Sequence, residues 1–242
     1  MAGHSKWAQI KRQKGVADAR RSAVFGKLAN AITIAARNGT DPEMNFQLRI
    51  AIDRAKAANM PKDNIERAID RAKGAGANAL EEITFEAYGP GGTAFIIEAA
   101  TDNRNRTVGE IRATLNKFDG KMAETGSVGY LFKRRGLIVL KATDIEVAEL
   151  AAIEAGAEDF ESTGDELYLY TDPKELESVR QNLRAAGFEP QEVSFEQTAL
   201  TTIPLEDPTT AQRAINLSEA LEEIDDVTAV HSNFDLKADL VE

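Results

Sequence analysis

Five residues, Gly74-Ala75-Gly76-Ala77-Asn78, separate two hydrophobic periods that cannot belong to the same kind of structure. Ahead of them apolar side chains recur every three or four residues. Behind them short alternating or continuous apolar runs take turns with helical stretches. Helical spacing puts its apolar residues on one stripe of a cylinder, whereas a strand sends successive side chains to opposite faces. The break therefore requires a helical amino-terminal part and a mixed α/β remainder.

Three helical patterns precede the break. Phe25, Leu28, Ala29, Ile32, Ala35 and Ala36 share one face of a segment from Asp18 to Asn38, with Asn38-Gly39 as a stop. Leu48, Ala51, Ile52 and Ala55 follow the start signal Asp41-Pro42. Ile65, Ala68, Ile69 and Ala72 begin after Pro61 and end at Gly74 and Gly76. The alanines in these faces predict closely packed helices. Residues 1–17 hold too few apolar groups to bury themselves and are expected to form an arm that is mobile when unbound.

Beyond the break, Ile83–Tyr88 and Thr93–Glu98 read as strands around Gly89-Pro90-Gly91-Gly92. A helix is predicted from Asn105 to Phe118 and a strand from Val128 to Phe132. Then comes a strand at Leu137–Leu140, a helix at Asp144–Ala155, and a hairpin of Ala157–Ser162 with Glu166–Thr171. A helix at Pro173–Ala186 and a strand at Gln191–Phe195 complete the β-α-β-β-α-β order of a ferredoxin-like unit. A last helix, Thr209–Ile224, leads into a strand, Val227–Phe234. This last pair lacks partners of its own, and the first α/β block lacks a second helix, so the two are expected to join. The expected fold is α+β: a helical domain at 1–77, a discontinuous α/β domain at 78–134 plus 199–242, and an inserted ferredoxin-like domain at 135–198.

Charge follows the same division. Residues 1–76 hold 15 Lys and Arg against 7 Asp and Glu, a net of +8, and the remainder holds 14 against 33, a net of −19. A polyanion would be attracted to one end and repelled from the other. Within the basic end, Lys6, Lys11, Arg12 and Lys14 flank the chain's only tryptophan, Trp7, and Arg20, Arg21 and Lys27 continue onto the first helix. Cations neutralise phosphates and an aromatic ring stacks on a base, the combination used by nucleic-acid binders. A solvated basic end with Trp7 as an anchor is the plainer alternative.

A second candidate is Thr101-Asp102-Asn103-Arg104-Asn105-Arg106-Thr107, at a strand-to-helix junction. Its short polar residues suit a turn and an N-cap. Arg104 and Arg106 beside a helix N-terminus, with its unpaired N–H groups, would also suit a phosphate. The Gly89–Gly92 turn is no phosphate-binding fingerprint, since it joins two strands and lacks the required spacing.

Cysteine is absent, which removes disulfides, thiolate metal sites and thiol nucleophiles. The two histidines, His4 and His231, have no triad or zinc pattern around them. No cofactor is expected. No run approaches the ~18 apolar residues of a membrane span, and the start of the chain lacks a secretory h-region. An Arg-rich, acid-poor transit peptide is the alternative, but the Gly3-His4-Ser5-Lys6-Trp7 start is poor in Ser and leads directly into a helical pattern, so a cytoplasmic location is expected.

Read together, Ala2-Gly3-His4-Ser5-Lys6-Trp7, Tyr88-Gly89-Pro90-Gly91-Gly92, the Thr101–Thr107 segment, Gly126-Ser127-Val128 and Asn233-Phe234-Asp235 resemble the YebC/PmpR family, over essentially the whole chain and in the right order. The resemblance implies three domains, the third inserted in the second, and brings no catalytic residues. It carries over the His4-Ser5-Lys6-Trp7 arm with its basic continuation, and the Asn103, Arg104, Asn105 and Arg106 loop. The chain departs from the family at Phe85, Ala87 and Ser232, away from these positions. Members are described as DNA-binding transcriptional regulators, and others act on translation, including at proline-rich stretches that stall the ribosome.

The expected function is thus a non-enzymatic nucleic-acid-binding regulator of gene expression, with DNA or ribosomal RNA as partner, alongside the ribosome or transcription machinery and no membrane. A ribosome-bound translation factor is the first alternative. An enzyme acting on a small phosphorylated substrate is the second, with Asp102 and Glu124 as the available acid–base pair. The acidic inserted unit could also serve as a protein-interaction module for a basic partner.

Overall fold

The computed structural model describes residues 21–74 and 80–236, with the side chains of residues 21–23 outside that description. The chain divides into two compact units, Met1–Phe132 with Ala199–Glu242 and, inserted between them, Lys133–Thr198.

In the first unit, α1 (Arg21–Ala36), α2 (Phe46–Ala57) and α3 (Lys62–Lys73) bury the faces that their periodicity predicts. Ile32, Ala35, Leu48, Ile52, Ala55, Ile65 and Ala68 form the shared core. The alanines let backbones approach, and Thr33 exploits this by donating to the carbonyls of Ala29 and Ala68, both at 2.9 Å, tying α1 to α3. Asn45 caps α2 by accepting from the Leu48 N–H at 3.1 Å. Its amide donates to the carbonyls of Ala35 and Gly39, both at 2.7 Å, which closes the end of α1 onto the start of α2. A buried amide is tolerated here because donor and acceptor are both satisfied.

The same unit holds a sheet in the order β3-β1-β2-β9, formed by β1 (Glu81–Tyr88), β2 (Ala94–Thr101), β3 (Lys121–Ala123) and β9 (Val227–Ser232). β1 and β2 pair antiparallel from Glu81 opposite Thr101 to Tyr88 opposite Ala94. The turn between them needs glycine for two reasons. Gly91 and Gly92 have φ of 71° and 76°, and a Cβ at Gly89 would lie 2.4 Å from the ring of Phe95. On one face of this sheet pack α4 (Arg104–Lys117) and α7 (Pro208–Glu223), joining Phe85, Phe95, Ile97, Ile111, Leu115, Leu217 and Leu221 in one core.

The structure corrects the expected strand at Val128–Phe132. These residues form a turn with a short 3₁₀ segment, Gly129–Leu131, that leads into β4 (Phe132–Lys141). The cause is Glu86, whose carboxylate accepts from the N–H groups of Gly126, Val128 and Gly129 at 2.6, 2.6 and 2.8 Å. With those donors engaged, no strand ladder can use them. The expected strand Val227–Phe234 also divides. Asn233 interrupts it: its side chain accepts from the Ala94 N–H at 2.7 Å, and its carbonyl accepts from the Ile203 N–H at 2.8 Å. The chain thereby leaves the first sheet, and β10 (Phe234–Leu236) pairs parallel with β8 (Ile203–Leu205).

The second unit follows the β-α-β-β-α-β order. It contains β4, α5 (Ile145–Ala155), β5 (Asp159–Thr163), β6 (Glu166–Thr171), α6 (Leu176–Ala185) and β7 (Glu192–Ala199). Its sheet order is β5-β6-β4-β7, the ferredoxin-like arrangement. Together the two units form an α+β fold.

Candidate nucleic-acid interface

The first group of expected contacts falls largely outside the described residues: His4, Lys6, Trp7, Lys11, Arg12, Lys14 and Arg20, and with them the side chain of Arg21. Lys27 is described, and it is engaged elsewhere. Its ammonium donates to the main-chain carbonyls of Glu222 and Ile224, the latter at 2.8 Å, at the C-terminal end of α7. Helix carbonyls at that end lack intrahelical partners, and a lysine there satisfies them and complements the helix dipole. Burial holds the Lys27 pKa below the ordinary lysine value, although Glu222, Asp225, Asp226 and Glu223 oppose the shift. Lys27 therefore fastens the helical bundle to α7 instead of offering its charge to a phosphate.

Other cations of the bundle are presented to solvent. Arg37 follows α1, and Arg54 and Lys56 occupy the last turn of α2. These three side chains have no ion-pair partner among the described residues, whereas Lys62 pairs with Glu66 and Lys73 with Asp70.

At the second candidate, β2 ends at Thr101 and α4 begins at Arg104. Asn103 is the N-cap, as its residue type predicts, and accepts from the Arg106 N–H at 3.1 Å. Arg104 is exposed and lies 3.6 Å from the Glu81 carboxylate. Asn105 is exposed as well. Arg106 is paired with acids of the protein itself. Its Nη2 donates to Asp226 Oδ1 and Oδ2 at 2.9 and 2.8 Å, and to Asp102 Oδ1 at 3.1 Å, and its Nε reaches Asp226 Oδ2 at 3.3 Å.

Asp226 is the centre of this cluster and carries no sequence signal beyond following a helix end. The hydroxyls of Thr107 and Thr101 donate to its Oδ2 at 2.7 and 3.0 Å. Burial favours the neutral acid, but the hydrogen bonds from Thr107, Arg106 and Thr101 outweigh it and hold the carboxyl below its ordinary pKa. Glu86 reaches the same balance through main-chain donors: burial opposes ionisation, and the N–H groups of Gly126, Val128, Gly129 and Ser127 overcome it.

A shallow groove between α4 and α7 borders the cluster, lined by Arg106, Glu110, Glu223, Asp225 and Asp226. Four carboxylates against one guanidinium, already paired, form a poor seat for a phosphate. The expected phosphate loop thus holds an ion-pair cluster: Arg106 is half exposed but paired with Asp226 and Asp102, whereas Arg104 is exposed beside Glu81. Among the described residues, no group of three or more His, Cys, Asp or Glu is placed to hold a metal ion. No described helix is long and apolar enough to cross a membrane.

Comparison with known proteins agrees along the length of the chain. Residues 5–75 match the TACO1/YebC protein N-terminal domain, and residues 80–234 match the TACO1/YebC second and third domain. A protein of Roseiflexus castenholzii named "Probable transcriptional regulatory protein" is 51% identical, over 100% of this chain and 98% of its own. One of Rubrobacter xylanophilus with the same name is 48% identical over the same shares. The crystal structure of a conserved hypothetical protein from Aquifex aeolicus superposes with a TM-score of 0.86 at 42% identity, covering 91% of this chain and 92% of that one. With both parts matched in order and relatives aligned end to end, the chain belongs to the TACO1/YebC family.

Proposed function

We propose that the protein is a non-enzymatic, cytoplasmic regulator of gene expression that binds DNA through its basic amino-terminal segment and helical bundle. One observation carries this reading: the net +8 of residues 1–76 stands against −19 for the rest. A polyanion meeting this chain is drawn to the bundle end and turned from the acidic remainder. Arg37, Arg54 and Lys56, exposed and without ion-pair partners among the described residues, extend that attraction onto folded structure. The regulatory name of the relatives supports the same direction. Arg106 is left out of the interface, because its guanidinium serves Asp226.

The test is a mobility shift on duplex DNA across a salt series, beside sedimentation with ribosomes, both including ~0.15 M salt. The full chain should shift DNA, and log K should fall linearly with log salt. In the variant Lys11→Gln/Arg12→Gln/Lys14→Gln that slope should lessen by about one unit for each phosphate no longer neutralised. An unchanged slope would reject the arm as the contact. Co-sedimentation with ribosomes, together with loss of DNA binding at that salt, would replace DNA by ribosomal RNA as the polymer.

A further inference from the structure

Helix α5 is built with its side-chain sizes reversed. Its inward face is alanine at 148, 152 and 155, each buried. Its large aliphatic residues point outward: Val147, Leu150 and Ile153 are 51%, 63% and 57% exposed. An amphipathic helix of a folded protein ordinarily buries its large apolar residues and exposes its polar ones. Here three of them form a ridge at i, i+3 and i+6 along a single helix of 11 residues.

The ridge has an acidic border. Glu146, Glu149 and Glu154 lie on the same helix, Asp144 caps it, and α5 carries no Lys or Arg. The cations of α6, which packs against α5, are committed to other acids, Arg180 to Glu177 and Arg184 to Glu189. None of the three α5 glutamates has an ion-pair partner among the described residues. The unit from Lys133 to Thr198 holds 7 Lys and Arg against 15 Asp and Glu, a net of −8, so the wider field has the same sign.

We propose that this face of α5 docks a basic amphipathic helix of a partner protein. The spacing of the ridge suits ridges-into-grooves packing against a second helix. The acidic border selects lysine- or arginine-flanked apolar residues and sets the approach by long-range attraction. The same charge repels nucleic acid and anionic lipid. It also opposes a second copy of this chain, which would bring Glu146 and Glu154 against their own equivalents. The site shares no residue with the basic segment proposed to bind nucleic acid, so either reading can fail alone.

The test uses the full chain and three labelled peptides of about 15 residues, roughly four helical turns. One is a Leu/Lys helix with leucines on one face, one has the same composition scrambled so that no face forms, and one is the Leu/Glu counterpart of the first. Fluorescence anisotropy should detect binding of the first alone. The variant Val147→Thr/Leu150→Gln/Ile153→Gln changes only exposed side chains, and an unchanged melting curve checks its fold. It should weaken binding by roughly tenfold or more. Glu146→Gln/Glu154→Gln should weaken it less and flatten its salt dependence. Equal binding of the scrambled or the Leu/Glu peptide, or an unaffected apolar variant, overturns the proposal. So does a dimer in sedimentation that the apolar variant dissociates, or capture of the chain by phosphatidylglycerol vesicles through this face.

Discussion

Arg106 and Asp226, 120 positions apart, are joined by Nη2 at 2.9 and 2.8 Å from the two carboxylate oxygens, which ties the start of α4 to the segment after α7. Two threonines, Thr101 and Thr107, complete the coordination of the carboxylate from the end of β2 and the first turn of α4. A residue expected to meet an external anion is thus satisfied by an internal one.

Asp226→Ala should destabilise the protein by about 2 kcal/mol, since two buried hydroxyls and a guanidinium are deprived of their acceptor together. Arg106→Ala should cost less, because its guanidinium is half exposed and the carboxylate keeps both threonines. Chemical denaturation of both single variants and the double variant would measure the coupling; strictly additive effects would contradict it.

The pH dependence follows from Glu86 and Asp226, both held below their ordinary pKa in the folded protein. The unfolded chain binds protons at these groups first as pH falls. Their stabilisation is therefore complete above the ordinary carboxylate range and is lost as pH drops through the folded values. The double variant Glu86→Gln/Asp226→Asn should be less stable at neutral pH and flatter between about pH 5 and 2. Urea midpoints across that range are the measurement.

Lys27→Met should lower stability by about 1 kcal/mol by removing the hydrogen bonds to the carbonyls of Glu222 and Ile224. Nucleic-acid affinity and its salt slope should stay unchanged, in contrast to the variant of Lys11, Arg12 and Lys14. A reduced slope in Lys27→Met would return this residue to the interface.

Gly89→Ala should destabilise by about 2 kcal/mol, because the new Cβ would sit 2.4 Å from the Phe95 ring and 2.8 Å from Thr93 Oγ1. Gly126→Ala meets no atom within 4 Å but has a φ of 89°, so its smaller cost is purely one of backbone conformation. Comparing the two melting temperatures separates clash from backbone strain.

Local patterns made most of the secondary structure legible. Helical spacing located α1, α2, α3, α4, α5, α6 and α7 to within a few residues, and the Gly89–Gly92 turn located the first hairpin. The three-residue strands β3, β8 and β10 were not legible, being too short to establish a period. The strand expected at Val128–Phe132 failed because apolar content there said nothing about Glu86, 40 positions away, taking up the Gly126 N–H.

At the candidate site the division is the same. Charge asymmetry is a sum over residues and needs no coordinates, so the sequence by itself determined that one end of this protein is basic and the remainder acidic. Which cations remain available is a matter of partners, and partners are chosen by packing. Folding brought Lys27 to the end of α7 and Arg106 to Asp226, and left Arg37, Arg54 and Lys56 in solvent. It also turned the large residues of α5 outward and its alanines inward. Charge and period are properties of residue order. Pairing and exposure depend on the distances between segments remote in sequence, which only the tertiary structure decides.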